Sequence, residues 1–248
     1  MSAHSQIDRK QPCIPPQRKP SGFQQWNSLA FLHWEVPVDA VCRLLPEGLE
    51  PDLYEGKAYA GLVPFQMRHI RPHWCPKCFG FNFLETNVRT YVICDGEPGV
   101  YFFSLDANSF TAVTAARWGW HLPYYHSQMT FSRREDQITY TLDRAGQTRS
   151  KIEIYVGDEK PPSPENSLDF FLLERYLLFT RNRHTLLRGQ VHHRPYPVRG
   201  VKLRSCDDEL VAHAGFASLP GTPATVHFSE GVEVKVFSLT PVHPRSSC

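Results

Sequence analysis

No apolar run in this 248-residue chain approaches the ~18 residues a membrane-spanning helix needs. Charge of one sign is not in excess either. The 27 Lys+Arg against 25 Asp+Glu leave a net charge of +2, so no broad basic surface for nucleic acid is called for. The first residues lack the apolar stretch of a signal peptide, and no segment repeats another. Cysteine is present but not paired in number: seven residues in a chain of this length, without a secretion signal, read as free thiols rather than a disulfide framework. The expectation is a soluble cytoplasmic protein that needs no cofactor and whose partners include neither nucleic acid nor membrane. A homo-oligomer stays open.

What is there is an ordinary globular balance, 41% hydrophobic and 21% charged. Residues 1–20 stand apart. They hold four prolines and the basic residues Arg9, Lys10, Arg18 and Lys19 against one acid, Asp8. That composition predicts a disordered arm that folding does not need, followed by a single domain over 21–248. Strand-like runs then dominate, at 29–36, 57–70, 83–94, 99–106, 125–132, 136–143 and 149–156. Further runs are expected at 184–193, 197–205, 208–213, 224–228 and 232–239. Three helices are predicted. Val38, Val41, Cys42 and Leu45 fall at i, i+3, i+4 and i+7 behind Pro37, and Pro46-Glu47-Gly48 stops them. Residues 109–118 follow Asn108 or Ser109 as N-cap, and 167–176 follow Ser167. The fold class is α+β and β-rich, a barrel or a pair of packed antiparallel sheets.

Four groups of residues could carry chemistry. In 85–91, strand alternation sets Glu85, Asn87, Arg89 and Tyr91 on one face, with Thr86, Val88 and Thr90 on the other. A carboxylate, an amide and a guanidinium on a buried face are costly unless paired or facing a hydrated cavity. Either Arg89 holds an anion, such as a carboxylate, or Glu85 and Arg89 form an internal network or a solvated face. His69, His73, Cys75 and Cys78 contain one C-x-x-C and two upstream histidines, a spacing compatible with zinc. A free-thiol loop is the expected reading, and metal is not the expected outcome. His192 and His193 would face opposite sides of a strand and cannot chelate one ion together. Glu174 and Arg175, adjacent on a helix, also diverge, and an ordinary helix-end role is expected of them.

Several segments together resemble the YqjF-like family, a domain of unknown function related in fold to acetoacetate decarboxylase. They are Trp34–Asp39 (WEVPVD), Leu44–Leu49 (LLPEGL), Glu85–Tyr91 (ETNVRTY), Gly99–Ala107 (GVYFFSLDA), Leu122–His126 (LPYYH), Phe171–Tyr176 (FLLERY) and His192–Pro195 (HHRP). They run from about 29 to 240. The stretch Trp118-Gly119-Trp120-His121-Leu122-Pro123-Tyr124-Tyr125 is similar to the Pro-Lys-Lys turn of the decarboxylases, in which a desolvated lysine forms a Schiff base. The resemblance puts Tyr124 and Tyr125 at the two lysine positions, and no lysine lies between Lys77 and Lys151. It matches a pocket glutamate of the decarboxylases to Glu85, or to Thr86.

Tyr124, Tyr125 and His126 therefore stand where the decarboxylase chemistry would be. Tyrosine hydroxyls could donate to a carbonyl or oxyanion, with His121 or His126 as a proton shuttle, or the rings could simply fill space. Two functional readings follow. One is a cavity that binds a small, carboxylate-like molecule. The other is a structural or interaction module whose cavity is filled by its own aromatics. A weaker third is a redox or zinc-linked regulator through Cys75 and Cys78. Because tyrosine cannot form an imine, incubation with acetoacetate and borohydride should leave the protein mass unchanged. A stable adduct on a lysine lining the pocket would overturn this expectation.

Overall fold

The computed structural model describes residues 7–242, apart from 112, 115–121, 183–184 and 217–220. In chain order its elements are β1 (Gly22–Val36), α1 (Val38–Leu44), β2 (Glu50–Pro51), β3 (Ala58–Pro72), β4 (Phe81–Cys94) and β5 (Glu97–Ala107). Then come β6 (Tyr124–His126), β7 (Gln128–Arg134), β8 (Gln137–Arg144), β9 (Thr148–Glu159), α2 (Leu168–Leu173), β10 (Leu177–Asn182) and β11 (Thr185–His192). β12 (Val198–Asp208), α3 (Leu210–His213) and β13 (Thr225–Val242) complete the chain. Residues 110, 111, 113 and 114 are also helical, and the rest of the helix expected at 109–118 lies outside the described residues.

Seven strands close on themselves in the order β1–β3–β4–β5–β10–β11–β13 and back to β1. Every neighbour in this barrel is antiparallel except β5 with β10. Outside it, β13 also pairs briefly with β12, which leads into β9, β8 and β7 as a second layer. Of the two β-rich α+β arrangements expected from sequence, a barrel or packed antiparallel sheets, the barrel is observed. Alternation explains the two cores. Leu29 and Phe31 of β1 point into the barrel with Val63, Phe65 and Met67. Ala30, Leu32 and Trp34 point outward and are covered by Ile138, Ile152 and Ile154 of the second layer. Both faces of β1 are thus buried, which is why its sequence reads as a continuous apolar run. Barrel closure needs one close approach. At Gly231 (φ +142), an added Cβ would sit 2.3 Å from the Trp26 carbonyl oxygen.

Several elements differ from expectation. Residues 224–228 and 232–239 form one strand, because Gly231 bends the chain without ending its pairing with β1. Residues 210–213 form a helix, not a strand. The Asp208 carboxylate accepts a hydrogen bond from Val211 N at 3.0 Å, a capping arrangement that favours the helical turn. The helix expected to reach 176 stops at Leu173, and after Glu174, Arg175 and Tyr176 the short strand β10 begins, which was not expected.

The N-terminal arm also differs. Residues 7–20 lie against the barrel. Arg9 pairs with the buried Asp52 and sits 5.3 Å over the Phe171 ring, Lys10 pairs with Glu165, and Pro12 is buried. The arm composition cannot make a core, but the folded body supplies acidic partners that the local sequence does not. Asp52 also receives Arg175 Nη1 at 2.7 Å, so one carboxylate serves two guanidinium groups. Deleting residues 1–20 should therefore lower stability by more than about 1 kcal/mol, a drop of several degrees in melting temperature for a domain of this size. Identical melts for the two proteins would show that the docked arm adds nothing.

Candidate functional site

The inward positions of β4 are its odd-numbered residues. Phe81, Phe83, Glu85, Asn87 and Arg89 all line a cavity of about 600 Å3 inside the barrel. The register with β3 sets Phe65 opposite Glu85, Val63 opposite Asn87 and Gly61 opposite Arg89. Gly61 is where a side chain would intrude: a Cβ there would lie 3.0 Å from the His33 ring and 3.5 Å from Arg89 Cγ.

Glu85 is buried, and the Tyr124 hydroxyl donates to its Oε2 at 2.7 Å. β6 delivers Tyr124 by pairing in parallel with β5, Leu105 opposite Tyr124. Burial raises the Glu85 carboxyl from 4.5 to about 7, against the lowering effect of hydrogen bonds from Tyr124 and Asn87. Burial, with Glu85 alongside, likewise lifts the Tyr124 hydroxyl well above its ordinary value. Near neutral pH this is a carboxylic acid and a phenol sharing a hydrogen bond, with its charge easily switched.

Arg89 is 8% exposed. Its Nη2 donates to the Leu172 carbonyl oxygen at 3.3 Å, while Nε is buried without a hydrogen-bond partner. The guanidinium lies 5.5 Å from the Phe31 ring and 5.8 Å from that of Tyr91. Among the described residues no carboxylate forms an ion pair with it. The Tyr91 hydroxyl donates to the same Leu172 oxygen at 2.8 Å and lies 2.7 Å from His33 Nε2, so His33 donates through Nε2. Burial and the nearby Arg89 hold His33 well below its ordinary pKa, in the neutral form. Arg175 reaches the cavity too, anchored by Asp52 and by its Nε donating to the Phe171 oxygen at 2.7 Å.

Of the residues singled out from sequence, Glu85, Asn87, Arg89 and Tyr124 come together in one cavity. Tyr125 and His126 do not. Tyr125 is 40% exposed and stacks under Arg144, which pairs with Asp106. His126 is exposed beside Phe110. Strand alternation sends only one of the two adjacent tyrosines inward. His121, with Trp118, Gly119 and Trp120, lies outside the described residues. His69 sits on β3 at positive φ, while His73, Cys75 and Cys78 lie in the loop leading to β4. Among the described residues no three His, Cys, Asp or Glu side chains gather as metal ligands, and these four are no exception. Glu174 and Arg175 are both buried rather than ending a solvated helix. Glu174 accepts from the Tyr176 hydroxyl at 2.5 Å and from Tyr196 N at 3.0 Å. Tyr196 also lines the cavity. Its position just after His192–Pro195 was a signal the sequence reading did not use. His193 stacks on Tyr176 with ring centroids 4.6 Å apart, and burial lowers its pKa to about 4. All eight lysines of the chain are exposed.

Residues 23–233 match a family described as "Uncharacterized conserved protein (COG2071)", DUF2071. The chain is 33% identical over 219 residues to "Uncharacterized protein YqjF" of Bacillus subtilis (strain 168), covering 87% of this chain and 90% of that protein. Among solved structures, the enduracididine biosynthesis enzyme MppR complexed with pyruvate superposes with a TM-score of 0.65 at 15% identity, over 92% of this chain and 93% of that one. An acetoacetate decarboxylase from Legionella pneumophila superposes with a TM-score of 0.61 at 15% identity, over 98% and 99%. At that identity the likeness is one of fold.

The raised Glu85 pKa has a defined sign. Between pH 4.5 and about 7 the folded chain keeps a proton that the unfolded chain has lost, so Glu85 lowers stability as pH rises through that window. The full effect is about 3 kcal/mol at 1.36 kcal/mol per pKa unit. Glu85→Gln keeps an acceptor for Tyr124 and removes the titration. It should match wild type at pH 4 and exceed it by up to about 3 kcal/mol at pH 8. Parallel melts of the two proteins from pH 4 to 8 read this directly, and a constant difference would show that Glu85 titrates as an ordinary carboxylate.

Proposed function

The chain belongs to the DUF2071 family, and from that premise we propose that it binds a small organic carboxylate inside the barrel, with Arg89 as the anion's partner. The observation that carries this reading is the buried guanidinium of Arg89 in the cavity wall, with no ion-pairing carboxylate among the described residues. An unpaired buried charge is costly, and an anionic ligand would offset that cost. The pyruvate named in the MppR complex is a carboxylate held on the same fold, which supports the reading. A cavity filled by the protein's own aromatics fits less well with about 600 Å3 of open space.

Chemistry through a lysine imine does not fit. Tyrosines stand at both positions that the resemblance matches to the decarboxylase lysines, and every lysine is exposed. What the cavity offers instead is the Glu85–Tyr124 pair, with a carboxyl near pH 7 that can give or take a proton beside a bound ligand. We place the protein in the cytoplasm, and no helix among the described residues is long and apolar enough to cross a membrane.

A thermal-shift screen of small carboxylates on wild type and Arg89→Met tests the assignment. Methionine replaces the buried cation with an apolar chain of similar reach, so the fold should survive. Ligand stabilisation, which grows with ligand concentration over Kd, should be lost. Equal shifts in both proteins would remove Arg89 from the site.

A further inference from the structure

Resting on the carboxylate reading above, we infer that the ligand is an amphiphilic monocarboxylic acid of medium chain length. Its carboxylate lies at Arg89 and its apolar body runs along β4 toward the mouth. The cavity is graded along β4. Phe81 is 67% exposed at the rim and Arg89 is 8% exposed at the deep end, where α2 closes the barrel through the Leu172 carbonyl. The eight residue steps from Phe81 to Arg89 span roughly 26 Å of strand. The deep half carries Arg89, Asn87 and Glu85, and the outer half carries only Phe83 and Phe81. Across the ladder, Met67 faces Phe83 and Ile70 faces Phe81, and on the next strand Trp26 faces Met67. The outer half is therefore apolar on β4 and at Met67, Ile70 and Trp26, while Gln24 of β1 and Arg71 of β3 also line the cavity there.

Size and orientation follow. A volume of about 600 Å3 lies within the 300–1,000 Å3 typical of sites for larger organic ligands. A two- or three-carbon acid at Arg89 would leave the Phe83–Met67 section of the barrel empty. The reverse orientation, head at the mouth, would lay an alkyl chain over the Arg89 guanidinium and the unpartnered Asn87 Oδ1, desolvating both without a partner. The rim cation Arg71 is already engaged, donating to the His69 oxygen at 2.9 Å and lying 5.1 Å over the Phe23 ring.

The experiment is a calorimetric titration of wild type with straight-chain carboxylates from acetate to decanoate, with pyruvate, and with octanol. Octanoate and octanol are repeated on Arg89→Met. Affinity should rise about fourfold per methylene across the series, the equivalent of about 0.8 kcal/mol. Octanoate should bind wild type at least tenfold tighter than octanol, and Arg89→Met should close that gap. Pyruvate or acetate binding as tightly as octanoate would overturn the amphiphile while leaving the carboxylate reading standing. Octanol binding wild type as tightly as octanoate would remove the carboxylate reading itself, as would no binding by any acid. Should Arg89→Met fail to fold, octanoate against octanol on wild type decides the same point.

Discussion

Closure of the barrel by β1 on β13 is the constraint from which the rest of this structure follows. Residues 22–33 of β1 pair antiparallel with 225–236, the far end of the chain. Once that seam forms, every strand of the ring has an inside and an outside, and alternation divides each sequence between two environments. The inside becomes finite and dry enough to shift pKa values. The outside of β1 becomes a floor for the second layer of β7, β8, β9 and β12. Without the seam, Glu85 and Arg89 would lie on an open sheet in water, and neither the raised Glu85 pKa nor the desolvated Arg89 charge would exist.

The deep end of the barrel is held by shared acceptors. The Leu172 carbonyl, at the end of α2, takes hydrogen bonds from both Arg89 and Tyr91. Asp52 takes both Arg175 and Arg9. The Phe171 ring lies within 5.3 Å of the two guanidinium carbons that Asp52 pairs. Burial also raises the pKa of Glu174 in this region. A fold optimised for stability alone would pair or delete Arg89. Its retention in a cavity wall is the kind of local cost associated with binding sites.

The inward row of β4 was legible before the structure, because a period of two needs only local spacing to set Glu85, Asn87 and Arg89 on one face. That Glu85 and Arg89 do not pair with each other was not legible. The choice among internal ion pair, solvated face and cavity depends on what the other six strands place opposite. Tyr124 was legible through its resemblance to the decarboxylase turn, but Tyr125 and His126 were grouped with it by adjacency, and a strand separates neighbours. Arg175 and Tyr196 were present in quoted segments, yet their approach to the cavity depends on α2 ending at Leu173 and on the turn into β10. The docked arm was missed because Asp52 and Glu165, its partners, are 43 and 155 residues from the arm residues they meet.

The sequence by itself determined a β-rich α+β fold, as a barrel or packed sheets, with Glu85, Asn87 and Arg89 on one face of a strand and no lysine between Lys77 and Lys151. Those properties live in periodicity and residue identity, which are local. Only the tertiary structure decided that Glu85 is paired with Tyr124 rather than Arg89, that Arg89 has no ion-pairing carboxylate among the described residues, and that both line a cavity of about 600 Å3. Those depend on closure between the two ends of the chain, and burial, desolvation and the choice of partner exist only after it.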